Sequence, residues 1–246
     1  MKRFKWQILV GLALIIISIV LYLIQYAIFK DTRNIIFYLI QDLAFVPINV
    51  LLVTLIITWL LNEREKRSLL NKLNMVIGAF FSEVGTPLFK CFFRFDAHFD
   101  KIRTNFIITA DWSDKDFQGA GRSIKDYDYK VESQRGDLEE LRSCLLQKRG
   151  FMLALLENPN LLEHESFTEL LWAVFHLTEE LVNREHLKQL SSADFDHIAN
   201  DIKRAYTALI SEWLKYMNHL KNEYPYLFSL AVRMNPFDPN AKAEIA

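Results

Sequence analysis

The sequence predicts an all-α protein: a two-helix transmembrane hairpin over residues 1–61, a cytoplasmic helical bundle over 62–234 and a flexible tail over 235–246. Three observations predict it. Trp6 to Phe29 is a run of 24 residues without one charge. A second apolar run covers Asn34 to Leu61. Beyond it, apolar residues recur every three or four positions, the period of a helical face. Charge divides the chain at the same place: residues 1–61 carry five Lys/Arg against two acids, and the remainder 24 against 28. Seven Gly and six Pro among 246 residues are too few for the turns of a sandwich or propeller.

The first run gives about 36 Å of helix, enough to cross a hydrocarbon core of about 30 Å with some tilt. It is longer than a signal-peptide core, and Gln25-Tyr-Ala-Ile-Phe-Lys30 offers no small-x-small cleavage site, so an uncleaved span over 6–29 is expected. In the second run, residues 43–61 alone supply about 28 Å. That places the span at 43–61, with Asp42 at its outer boundary and residues 35–42 in the interface. Pro47 is expected to kink it. Asn49 falls near mid-bilayer, at the depth of Ser18 in the first span. An amide in lipid needs a partner, so Asn49 is expected to face Ser18 or another subunit. A packing hydrogen bond is preferred there to an ion pathway; the second reading would make the protein a small oligomeric channel or transporter subunit.

Basic residues flank both outer ends of this pair: Lys2, Arg3 and Lys5 before it, Arg64, Lys66, Arg67 and Lys72 after it. The positive-inside rule then puts both termini in the cytoplasm of a multi-pass protein of the inner (plasma) membrane. In that reducing compartment Cys91 and Cys144, with no Cys-x-x-Cys, are expected to be free, buried thiols.

The second span has no strong stop. Its helix is expected to continue to about residue 94, with an apolar stripe at Leu69, Leu73, Val76, Ile77, Phe80, Phe81, Val84 and Leu88, and a second kink at Pro87. Gly78, Ser82 and Gly85 form a small-residue stripe on which another backbone can approach, by internal packing, a dimer contact or a ligand shelf. Residues 111–137 hold three glycines and twelve charges, a solvated connection with a short helix near 116–131. Gly119-Ala-Gly121 imitates a dinucleotide loop, but no strand precedes it. Further helices are expected from Asp137 to about Glu157, from Leu161 to about Leu187, and from a Ser191/Asp194 capping box to about Glu223. The inner face of the last is Phe195, Ile198, Ile202, Tyr206, Leu209, Trp213, Met217 and Leu220. A short helix over 226–234 follows Pro225.

The most informative surface is the helix 161–187. Its polar side collects Glu165, Glu169, Trp172, His176, Glu179, Glu180 and Asn183. Carboxylates with an imidazole on one stripe can ligate a metal, and Glu169, His176 and Glu180 are the candidate ligands. The Glu-x-x-His pairs of di-iron bundles are absent. His197 and Asp201 lie one turn apart on the next helix, on a face shared with Arg204, Glu212, Lys215 and His219 that reads as solvated. A solvated or partner-binding acidic face is therefore preferred, with Trp172 as its contact residue, and no cofactor is implied. No zinc-finger, protease, esterase or Walker pattern is present, and basic residues do not cluster into a nucleic-acid face. The expected partners are the lipid bilayer and either a second copy of the chain or another membrane or cytoplasmic protein.

Three stretches, KLNMVIGAFFSEVG (72–85), LLENPNLLEHESFTELLWAVFHLTEEL (155–181) and YPYLFSLAVRMNPFDP (224–239), together with the two-span start, resemble an uncharacterised family of prokaryotic membrane proteins. The resemblance implies the two-span architecture and transfers no site residues. The expected function is a non-enzymatic, membrane-anchored interaction or scaffolding module. A metal- or ligand-dependent sensor or enzyme is the alternative.

Overall fold

The computed structural model describes residues 2–127, 129–162 and 164–244, without the side chains at 2–8, 10, 29, 67–71, 125, 126, 160 and 162. Leu69 of the expected stripe, Arg67 of the inner basic flank, and Lys2, Arg3 and Lys5 of the first flank have side chains outside the described residues. The chain is all-α and divides into two units, residues 1–66 and 67–246.

In the first unit α1 spans Lys2–Phe29 and α2 begins at Thr32, continuing to Phe80 in the second unit. Lys30, at φ 50°, sits in the left-handed region and its N–H closes α1 on the Tyr26 carbonyl at 2.9 Å. The Asp31 carboxylate then accepts from the Arg33 and Asn34 amides at 3.0 and 3.2 Å, satisfying donors that the first turn of α2 leaves free. The expected interfacial segment 35–42 and the expected span 43–61 are one helix, which continues through Pro47. Gly11–Ile28 and Thr32–Lys66 are each long and apolar enough to cross a membrane, and no residue of either window is buried within the protein. Leu and Ile side chains exposed along both helices have no protein cover, a surface suited to lipid rather than water.

A third apolar window, Lys72–Phe92, has another explanation: 44% of it is buried in the core of the second unit. The expected continuation to about residue 94 is present with an irregularity. After Phe80 the chain makes a π-helical turn, Phe81–Gly85, which runs directly into α3 (Thr86–Phe92), with Pro87 in the first turn of α3. Short helices α4 (Phe99–Arg103) and α5 (Asp114–Asp126) follow. The solvated connection expected over 111–137 is corrected here. Helix α5 starts earlier than expected and buries Phe117, Ala120 and Ile124 beside α9, while Tyr129 is buried and Asp96 pairs with Val131 in an antiparallel bridge. Gly119 and Gly121 lie inside α5, not in a loop.

The remaining helices are α6 (Leu138–Leu156), α7 (Pro159–Leu162), α8 (Glu165–Val182), α9 (Ser192–Glu223) and α10 (Pro225–Arg233). Asp137 caps α6 by accepting from the amides of Glu139 and Glu140, and Ser191 caps α9 by accepting from Asp194. Helix α8 stops at Val182, five residues before its expected end, where the Asn183 side chain and backbone both bond the Glu179 carbonyl. Seven of the eight residues expected on the inner face of α9 are buried, Phe195 being half-buried. The start of the expected tail, at 235–237, is corrected, while residues 245 and 246 of it lie outside the described residues. Asn235 and Phe237 are buried; Asn235 donates to the Phe106 carbonyl at 2.8 Å, and the Phe237 ring lies 5.0–5.2 Å from Phe89, Phe93, Phe106 and Trp213. An apolar ring that fills a gap among four others pins the chain, whatever the polarity of its neighbours in sequence.

Candidate functional site

Helices α8 and α9 are joined by residues 183–191 and pack against each other along their length, as consecutive helices with a short connection do. The join is tied by Arg184, which pairs with Glu180 on its own side and reaches Asp194 at 3.3 Å on the other. On α8, His176 and Glu180 are one turn apart; on α9, so are His197 and Asp201. Residues four apart share a helix face. The two pairs meet: one ligating atom from each of the four residues lies within 4.8 Å of all the others.

The contacts close a ring in which imidazole nitrogens alternate with carboxylate oxygens. Asp201 Oδ2 is 3.2 Å from His197 Nε2 and 3.5 Å from His176 Nε2. Glu180 is 3.5 Å from His197 Nε2 through Oε2 and 3.8 Å from His176 Nε2 through Oε1. The two histidines are half-exposed at the rim. Asp201 is the floor, 2% exposed, and among the described residues its Oδ2 has no hydrogen-bond partner. Its other oxygen lies 3.4 Å from Arg204. The Arg184 guanidinium holds the Glu180 carboxyl below the usual carboxylate range, with both histidines adding smaller effects of the same sign. Each carboxylate thus has an arginine beside it, outside the ring.

Of the candidate ligands, His176 and Glu180 are brought together, while Glu169 is exposed and outside the group. The face of α9 expected to be solvated is corrected: Asp201 and Glu212 are each 2% exposed, Glu212 bonding Lys215 at 2.6 Å. Trp172 is 56% exposed, one turn from His176, with Phe175 beside it at 6.3 Å between ring centroids. The small-residue stripe is divided. A side chain on Gly78 would meet the Tyr216 hydroxyl at 3.0 Å and one on Gly85 would meet Phe81 at 2.5 Å, whereas Ser82 is exposed. Ser82 lines a cleft with Cys91 and Cys144, which are free and half-buried rather than buried. Ser18 and Asn49 are both exposed, and among the described residues no hydrogen bond joins them.

Residues 2–61 match the family described as "MJ1433, N-terminal helical domain", and residues 69–233 match "Uncharacterized protein MJ1433, C-terminal helical domain". The chain belongs to the MJ1433 family. Its relative of that name from Methanocaldococcus jannaschii is 46% identical over 234 residues, covering 95% of this chain and 94% of the relative. No solved structure matches. The boundary between the two family domains falls beside the boundary between the two structural units.

Proposed function

We propose that the protein is a membrane-anchored module whose first unit fixes a cytoplasmic helical domain to the inner face of the plasma membrane, where the α8–α9 face of that domain engages another protein. One observation carries the reading: the two units bury opposite amounts of apolar surface. Residues 67–246 assemble a core around Phe80, Phe89, Phe167, Tyr206 and Phe237, while the apolar windows of residues 1–66 bury nothing. A domain with its own core has no folding need for two long apolar helices, so their role is tethering. The positive flanks supply the orientation. Trp172 marks the working face, because a large indole left exposed on a charged stripe suits a contact residue.

Carbonate washing should leave the chain in the membrane pellet, and a reporter fused at residue 246 should be active only in the cytoplasm. A photo-cross-linker at position 172 in native membranes should capture a second polypeptide, with capture lost when competing wild-type protein is overexpressed. Extraction by carbonate would remove the anchor, and a cross-linker that captures nothing would remove the interaction face.

A further inference from the structure

The geometry points to a centre for one divalent first-row transition ion, of the zinc class, held by His176, Glu180, His197 and Asp201 where α8 meets α9. This stands on the side chains of the helical domain alone and does not depend on the membrane reading.

The spacing of the ring is the first reason. Zinc bound tetrahedrally by imidazole and carboxylate at about 2.0–2.1 Å separates neighbouring ligand atoms by about 3.3–3.4 Å. The nitrogen–oxygen sides of the ring are 3.2 and 3.5 Å through Asp201 Oδ2 and 3.5 and 3.8 Å through the two oxygens of Glu180, and one donor atom from each residue lies within 4.8 Å of all the others. Charge-assisted hydrogen bonds between imidazolium and carboxylate would draw these atoms to about 2.7–2.9 Å. They would also pair each ring nitrogen with a single oxygen, since each Nε2 carries one proton. Here each nitrogen faces an oxygen on both sides, at distances that leave room in the middle.

The second reason is Asp201, and it is independent of spacing. Burying a carboxylate costs heavily unless partners compensate. At 2% exposure, Asp201 has an arginine 3.4 Å from Oδ1 and, among the described residues, no hydrogen bond to Oδ2, the oxygen 3.5 and 3.2 Å from the two imidazoles. A cation at the centre of the ring supplies the missing partner.

The donor set selects the ion. Two imidazoles disfavour calcium and magnesium, which take oxygen ligands, and the lack of thiolate disfavours copper(I). Two carboxylates balance a divalent charge. Arg184 on Glu180 and Arg204 on Asp201 hold the carboxylates from outside, as outer-shell partners of metal ligands do. Because both histidines are half-exposed, an ion reaches the site from solvent without opening the core. One ion then links residues one turn apart on α8 to residues one turn apart on α9.

The test uses full-length protein in mild detergent, purified with a histidine-free tag and stripped with chelator. Titration with Zn2+ should saturate at one ion per chain by elemental analysis. At about a hundredfold excess over the dissociation constant it should raise the unfolding temperature by about 5–10 °C. Co2+ should bind with the intense visible bands of a four-coordinate site. His176→Gln and His197→Gln alter half-exposed side chains and should fold normally, yet each should weaken Zn2+ binding beyond the roughly 10–100-fold typical of an outer-shell change. His186→Gln, on an exposed histidine outside the ring, should bind as the wild type does. Asp201→Asn should also lose the site; if it fails to fold, the two histidine variants decide. The assignment is overturned if no stoichiometric ion binds, or if His176→Gln and His197→Gln bind Zn2+ as tightly as the wild type.

Discussion

Partial burial shifts the protonation of single side chains here in directions that can be measured. The His219 ring lies against Tyr224 and 3.2 Å from the Asn74 side-chain amide, and among the described residues its buried Nε2 has no hydrogen-bond partner. Burial lowers its pKa from the ordinary 6.5, with Glu223 opposing the shift. Between the lowered value and 6.5 the unfolded chain binds more protons than the folded one, so stability rises with pH across that window and is lost as pH falls through it. Wild type should therefore lose more stability than His219→Gln between pH 7.5 and 5.5, as measured by urea unfolding at both pH values. Equal losses would mean that the ring is solvated. The Cys91–Cys144 pair offers a second readout. A hydrogen bond from Cys91, aided by Lys148, lowers Cys144 to about 7, while Cys91 itself is pushed up. At pH 7 iodoacetamide should modify Cys144 faster than Cys91, by mass spectrometry of timed samples. Cys91→Ala should slow the reaction at Cys144.

At the scale of elements, the helices were legible where one helix determines its own face, and not where a neighbour does. The inner face of α9 follows from its three-four spacing, and its start from Ser191 and Asp194. The same spacing places Asp201 and Glu212 beside Arg204 and Lys215, which reads as a solvated face because nothing in α9 states that α8 lies over it. For the same reason His176 with Glu180 and His197 with Asp201 were each legible as pairs one turn apart but not as one group, and the second pair reads as solvated: the ring exists only between two helices. The π turn at Phe81–Gly85 was hidden differently, since one extra residue in a turn leaves no mark on an apolar stripe. Its Gly85 has a packing role. A methyl there would meet Phe81 at 2.5 Å, and the Phe81 ring is held by stacking on Tyr216 at 5.2 Å. Gly85→Ala should cost about 1–3 kcal/mol through overpacking. Gly150→Ala, in α6 with nothing within 4 Å, should instead add about 0.5–1 kcal/mol. Opposite signs in parallel urea titrations would establish the crowding; a neutral Gly85→Ala would show that Phe81 can move.

Across the whole molecule, the two long apolar helices, taken as the proposed anchor, set a requirement that the described residues of one chain leave unmet. Asn49 on α2 and Ser18 on α1 are both exposed. In water an exposed amide is solvated, but near the bilayer centre its donors and acceptor need partners. Among the described residues no bond joins Asn49 to Ser18, and if these helices span a bilayer, as proposed, another copy of the same helix pair would supply a polar partner at that depth. The full-length protein should therefore self-associate in vesicles, and Asn49→Leu should weaken that association. Interhelical hydrogen bonds in membranes contribute about 0.6–2 kcal/mol, which corresponds to about a 3–30-fold rise in the dissociation constant. Energy transfer between two labelled populations, measured as the lipid-to-protein ratio is raised, reads that constant directly. Association unchanged in Asn49→Leu would mean that the amide finds its partner in lipid headgroups or water, and would move the span by about two turns toward one face of the bilayer.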